Sequence, residues 1–93
     1  MPELTFRLRW PDETETVNYS PSTIIKSYFN VGHAYTVTEF AALARGALQA
    51  ASDRVKQMHG YPCARAAASL AMIEREAAKF AGTDAVTFLE FSA

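Results

Sequence analysis

Two alanine-rich segments, spanning about Thr38 to Ala81 and parted at Gly60-Tyr61-Pro62, constrain the fold more than any other feature of the chain. They hold 14 of its 17 alanines, so the middle of the chain reads as helical and any sheet must come from the two ends. Phe40, Leu43, Ala44, Ala47, Leu48, Ala51, Val55 and Met58 gather on one face at 100° per residue. Arg45, Gln49, Ser52, Asp53 and Lys56 fall opposite, as on an amphipathic helix lying on a core. Thr36 with Glu39 fits a capping box at its start, with Thr38 a rival cap. Gly60 suits the C′ position near His59, and Pro62 cannot continue the helix. The second helix, about Ala64 to Ala81, sets Ala66, Leu70, Ile73, Ala77 and Phe80 on one side. Ala64, Ala67, Ala68, Ala71 and Ala78 lie nearly opposite, small enough for close approach by the preceding helix or by a second subunit.

The ends supply the strands. Leu4, Phe6, Leu8 and Trp10 alternate with Thr5, Arg7 and Arg9, the period of a strand with one buried face. Pro11-Asp12-Glu13-Thr14 is turn material, and a second strand follows from about Glu15 to Tyr19. Setting Trp10 opposite Glu15 brings Leu8 to Val17, Phe6 to Tyr19 and Arg9 to Thr16, which puts the apolar residues on one face. Ser20 caps and Pro21 opens a short helix, about Pro21 to Phe29, whose apolar residues are Ile24, Ile25, Tyr28 and Phe29. Asn30 to Val37 reads as a loop around Gly32. Gly82 ends the second long helix. The last strand, Val86 to Phe91, has two partly apolar faces, one of Val86, Phe88 and Glu90 and the other of Thr87, Leu89 and Phe91.

The expected fold is therefore α+β: a three-stranded sheet of order 2-1-3, the hairpin plus the C-terminal strand beside the first, covered on one face by a short helix and two long ones. The direction of the last strand is open. A chain of 93 residues fits one domain, residues 1–93. A domain this small buries a modest share of its surface, so self-association would help it.

Composition removes several classes of function. The net charge of −1 gives no broad basic field for nucleic acid or an anionic membrane. No apolar run reaches a membrane span, and the start lacks the basic and apolar regions of a signal peptide. Cys63 is the only cysteine, so no internal disulfide forms. These features point to a cytoplasmic protein.

Candidate chemistry is sparse. Cys63 stands at a helix start, a position that favours a thiolate, and His59 lies four residues earlier. The Gly60-Tyr61-Pro62 break disrupts the helical spacing that would pair them, and a structural cysteine is the competing reading. His33, His59 and Cys63 have no metal-binding spacing, so neither metal nor cofactor is expected. Glu74 and Glu76 point in different directions on a helix, while Asp12, Glu13 and Glu15 crowd the hairpin; both groups read as solvated charge. Arg75 and Lys79 suit the C-terminal end of a helix dipole. Gly32, Gly46, Gly60 and Gly82 are too scattered for a phosphate loop. Arg7, Arg9 and the strand aromatics invite a nucleic-acid reading, but Phe6 and Trp10 belong to the face that should be buried. The outer sheet face offers more: Val86 and Phe88 beside Arg7 and Arg9 would make an apolar patch flanked by arginines, of the kind that marks a protein contact. A covering helix or loop is the alternative.

Three fragments carry a resemblance: Met-Pro-Glu-Leu-Thr-Phe-Arg-Leu-Arg-Trp-Pro-Asp at 1–12, Tyr-Ser-Pro-Ser-Thr-Ile-Ile at 19–25 and Ala-Ser-Asp-Arg-Val at 51–55. In them the chain resembles the small bacterial nitrogen-starvation-response proteins, over almost its whole length. Asp12-Glu13 departs from the Asp-Gly expected in that hairpin, which bears on turn type. The genes of that family accompany a nitrilase, a radical-SAM protein, an acetyltransferase, a synthetase-like protein and a flavoprotein. The resemblance implies a setting in nitrile or cyanide nitrogen use, or stress, and supplies no catalytic residue. The expected function is a non-catalytic accessory or regulatory protein that binds itself, as a homodimer, or a protein of the nitrilase gene cluster. The rivals are a small enzyme or small-molecule-binding domain built on Cys63 and His59, and a nucleic-acid-binding protein.

Overall fold

The computed structural model describes residues 3–61 and 63–92. In chain order it contains β1 (Leu4–Arg9), β2 (Glu15–Ser20), a 3-10 helix (Thr23–Ser27), β3 (Ala34–Thr36), α1 (Val37–His59), α2 (Ala64–Ala77) and β4 (Ala85–Ser92). The fold is α+β, with a sheet of four strands, not three, in the order β2-β1-β4-β3. The terminal strands pair as expected, and β4 runs antiparallel to β1. The extra strand, β3, lies antiparallel to β4 inside the segment expected to be a loop. Its three residues are too few for alternation to show, and only Tyr35 among them is buried.

The hairpin differs from expectation by one residue. The Glu13 N–H donates to the Trp10 carbonyl and the Trp10 N–H to the Thr14 carbonyl, each at 2.8 Å. The loop is thus Pro11 to Glu13, and Glu13 takes a left-handed conformation at φ 69°. Arg9 stands opposite Glu15, Leu8 opposite Thr16, Arg7 opposite Val17 and Phe6 opposite Asn18. A slip of one residue turns every side chain of a strand over. Thr16, Asn18 and Ser20 therefore share the inward side with Leu4, Phe6 and Leu8, while Glu15, Val17 and Tyr19 face out. A buried indole needs a partner for its N–H. Trp10 finds one in Thr16 Oγ1 at 2.9 Å, which the expected register does not offer.

The pairing of β4 with β1 is interrupted by a bulge between Arg7 and Leu8, with Leu8 opposite Phe88 and Arg7 opposite Glu90. Leu89 is the extra residue, and alternation changes phase across it. Val86 and Phe88 are sealed in the core and Phe91 is half-buried against it. This explains why both faces of the last strand look partly apolar in the sequence.

The short helix is 3-10, so the described residues contain two α-helices. Ser22, not Ser20, caps it by accepting from the Ile24 N–H at 3.2 Å. Ser20 ends β2 instead, donating to the Ser22 carbonyl at 2.7 Å. The Thr36–Glu39 capping box and the left-handed Gly60 C-cap of α1 are as expected; Pro62 lies outside the described residues. Helix α2 stops at Ala77, before Ala81, because the next bonds tighten: Lys79 N–H to the Glu76 carbonyl and Phe80 N–H to the Ala77 carbonyl. That turn swings Phe80 onto Trp10, with ring centroids 6.0 Å apart.

The core lies between the inner sheet face and the helices. Phe88 stacks on Phe6 and Phe29, with centroids 5.7 and 5.0 Å away, and Phe40 meets Trp10 edge-on at 5.9 Å. Ala44, Ala47, Leu48 and Ala51 of α1, with Ala66, Ile73 and Ala77 of α2, close it from above. The apolar face of α1 outruns the core, leaving Met58 exposed. Among the described residues no helix is long and apolar enough to cross a membrane.

Candidate functional site

The surface suggested by Arg7, Arg9, Val86 and Phe88 does not exist as one face. Arg7 and Arg9 point outward and are exposed, whereas Val86 and Phe88 are fully buried on the opposite side of the sheet. The register separates them, since Phe88 stands opposite Leu8 and Thr87 opposite Arg9. The two arginines are matched by carboxylates, Arg9 with Glu15 at 3.1 Å and Arg7 with Glu15 at 3.6 Å and with Glu90. Phe6 and Trp10, the aromatics that a base-stacking surface would need, are in the core.

Exposed apolar surface lies instead at the free edge of the sheet. Val17 of β2 is 65% exposed and Met72 of α2 is 50% exposed. With Asn18, Tyr19, Arg65, Ala68 and Ser69 they line an open groove of about 230 Å³ between strand edge and helix. Antiparallel strands bond through alternate residues. Counting from the Trp10–Thr14 bond, Thr16 and Asn18 direct their backbone groups to β1. Val17 and Tyr19 direct theirs away from it, to the open edge. Ser69 is 6% exposed and its hydroxyl, among the described residues, is the buried side-chain atom that lacks a hydrogen-bond partner. Burial of such a group without a partner is costly.

Arg65 stands at one end of the groove. Its guanidinium lies 3.9 Å from the centroid of the Tyr19 ring, a cation–π contact, and 3.7 Å from Glu3. The Tyr19 hydroxyl donates to Glu3 at 3.0 Å. Burial, then the hydrogen bond to Glu3, pushes the Tyr19 phenol above its ordinary value, against the pull of Arg65.

Tyr19 and Arg65 also border a second cleft, of about 440 Å³, at the turn between the long helices. His59, Tyr61 and Cys63 share its lining with Glu3, Pro21 and Val55. The structure thus brings Cys63 and His59 to one cleft across the break in the chain. No hydrogen bond joins them among the described residues. Cys63 is half-buried, not sealed, and its N–H donates to Ser52 Oγ at 3.2 Å. His33 is exposed beside the Tyr35 ring. Among the described residues no three His, Cys, Asp or Glu side chains are placed to hold a metal ion.

The family model described as nitrogen starvation-induced protein NitG matches residues 5–91. The chain belongs to this family. The match runs from β1 to β4, so the hairpin edge, α2 and the lining of both grooves apart from Glu3 belong to the shared unit. No curated protein and no solved structure matches the chain.

Sequence reasoning missed Val17, Tyr19, Ser69 and Met72. Met72 was legible, since it lies four residues from Ala68 on the alanine face and breaks its run of small side chains. Val17 and Tyr19 were hidden by the loop length, because a four-residue turn sends them inward.

Proposed function

We propose that the chain is a non-catalytic accessory or regulatory protein of nitrogen-stress metabolism, in the setting of nitrile or cyanide nitrogen use, and that it acts by binding another protein or itself. The observation that carries this reading is the β2–α2 edge, where Val17 and Met72 stand exposed on either side of strand backbone that is unpaired among the described residues. Monomers manage long open edges because such edges recruit other chains. Proteins encoded with the nitrilase are the partners to test alongside a second copy. In nitrogen-starved cells, affinity capture with the wild-type chain should recover itself or a protein of that cluster, and Met72→Glu should lose it. Equal recovery by both baits would refute the assignment to this edge.

A second reading, small-molecule binding or catalysis at Cys63 and His59, is favoured by one observation: the half-buried thiol lines a cleft with His59 and Tyr61. It predicts that Cys63→Ala abolishes ligand-induced thermal stabilisation in a screen of nitriles and small organic acids. An unchanged response in the variant, or no hit with the wild type, removes it.

A further inference from the structure

We infer that the occupant of the β2–α2 edge is a second copy of this chain, paired antiparallel through β2 about a two-fold axis at Val17; the inference rests on the reading that this edge is a protein contact.

The two edges of the sheet are unequal. β3 is three residues long, which is itself a protection. β2 runs for six residues, Glu-Thr-Val-Asn-Tyr-Ser, with no proline, no lysine and no bulge. Its one charge, Glu15, is offset by Arg7 and Arg9. Nothing on β2 repels another strand.

Self-pairing sets strict terms. In a two-fold antiparallel pair whose axis passes through residue 17, Val17 meets its own copy and Glu15 meets Tyr19 of the other chain. The backbone groups that bond across are those of Glu15, Val17 and Tyr19, the residues directed away from β1. Tyr19 carries the Arg65 guanidinium over its ring. The register therefore brings each Glu15 carboxylate to the other chain's Arg65, twice by symmetry. Sliding the axis to residue 15 would oppose Glu15 to itself, a like-charge pair. Charge complementarity thus selects the Val17 register.

The helices agree with it. An axis perpendicular to the sheet places both copies of α2 on the same side, beside the seam. Ala64 and Ala68 are exposed there, and small side chains let two helices approach closely. Met72 fills the groove between them. The incoming strand brings polar groups to the groove wall that holds the Ser69 hydroxyl, which has no hydrogen-bond partner among the described residues. The product is a continuous sheet with each chain's four strands on either side of the two-fold.

The test is sedimentation velocity on the 93-residue chain, from micromolar to near-millimolar concentration. The expected species has twice the 10.2 kDa chain mass. Val17→Pro removes an N–H that bonds across the seam and not to β1, and should weaken the dimer by about tenfold or more. Met72→Glu is a surface change that acts on the helix side of the seam, and decides the matter if the proline variant fails to fold by circular dichroism. Val31→Glu, exposed on the loop before β3, should leave the dimer intact. A wild-type monomer at every concentration overturns the inference. So does a dimer that survives both Val17→Pro and Met72→Glu. A monomer whose capture of a cluster protein is lost with Met72→Glu would overturn the second copy while leaving the proposed function standing; failure of that capture together with a monomer would remove both.

Discussion

Glu13 occupies a left-handed conformation that glycine enters without steric cost, and the hairpin register depends on its doing so. A non-glycine residue loses about 1–2 kcal/mol there, partly regained through a less mobile unfolded chain. Glu13→Gly should therefore raise stability by up to about 1 kcal/mol in urea unfolding, with the same amide-exchange pattern along β2. Gly82 is the reverse case: a Cβ there would collide with Thr38 Oγ1, where the Thr38 N–H meets the Gly82 carbonyl at 3.1 Å. Gly82→Ala should cost roughly 1–3 kcal/mol, and Thr38→Ala in the same chain should recover much of it. In the turn itself, the Thr14 hydroxyl, and after it the Thr14 N–H, holds the Asp12 carboxyl below the usual carboxylate range. A lowered folded value means that the stabilisation is complete above the unfolded value and is lost as pH falls through the folded one. The stability gap between wild type and Asp12→Asn should be constant above about pH 5 and narrow as pH falls below the ordinary carboxylate range. None of these three positions was legible as such. Glycine and proline announce turns, but the choice between a three- and a four-residue loop was decided by the Trp10 indole, a tertiary partner that local pattern does not contain.

Among elements, those with long periodic patterns were readable and the short ones were not. α1 carries its whole signature in sequence: a 3.6-residue stripe, a capping box and a C-terminal glycine. Thr36→Ala should remove the cap and cost about 1 kcal/mol, read as a lower midpoint in urea. The last strand was found, yet its two faces were mixed, because a bulge at Leu89 cannot be seen without the partner strand. β3 and the 3-10 helix arise from tertiary contacts. The Tyr35 hydroxyl accepts from the Asn30 N–H at 2.9 Å, and Ile25 is fully buried. In segments of three to five residues such contacts outweigh any intrinsic preference. The end of α2 belongs here too: Phe80 was rightly given to the apolar side, but reaches Trp10 only after the helix has stopped.

For the molecule as a whole, the layering of helices over one face of a sheet was visible from the order of elements, as was the adjacency of the two terminal strands, though not the direction of the last one. The interaction surface was not. Arg7 and Arg9 are exposed, whereas Val86 and Phe88 belong to the core. Two of the exposed apolar residues, Val17 and Met72, come from elements far apart in sequence and meet only when α2 lies along β2. Function on this view needs β2 to be a bonding edge that a second chain completes. Amide exchange along β2, followed by NMR in concentrated and dilute solution, tests this most directly. Thr16 and Asn18 should be protected at both concentrations, and Val17 and Tyr19 protected only in the concentrated sample. Fast, concentration-independent exchange at Val17 and Tyr19 would contradict it.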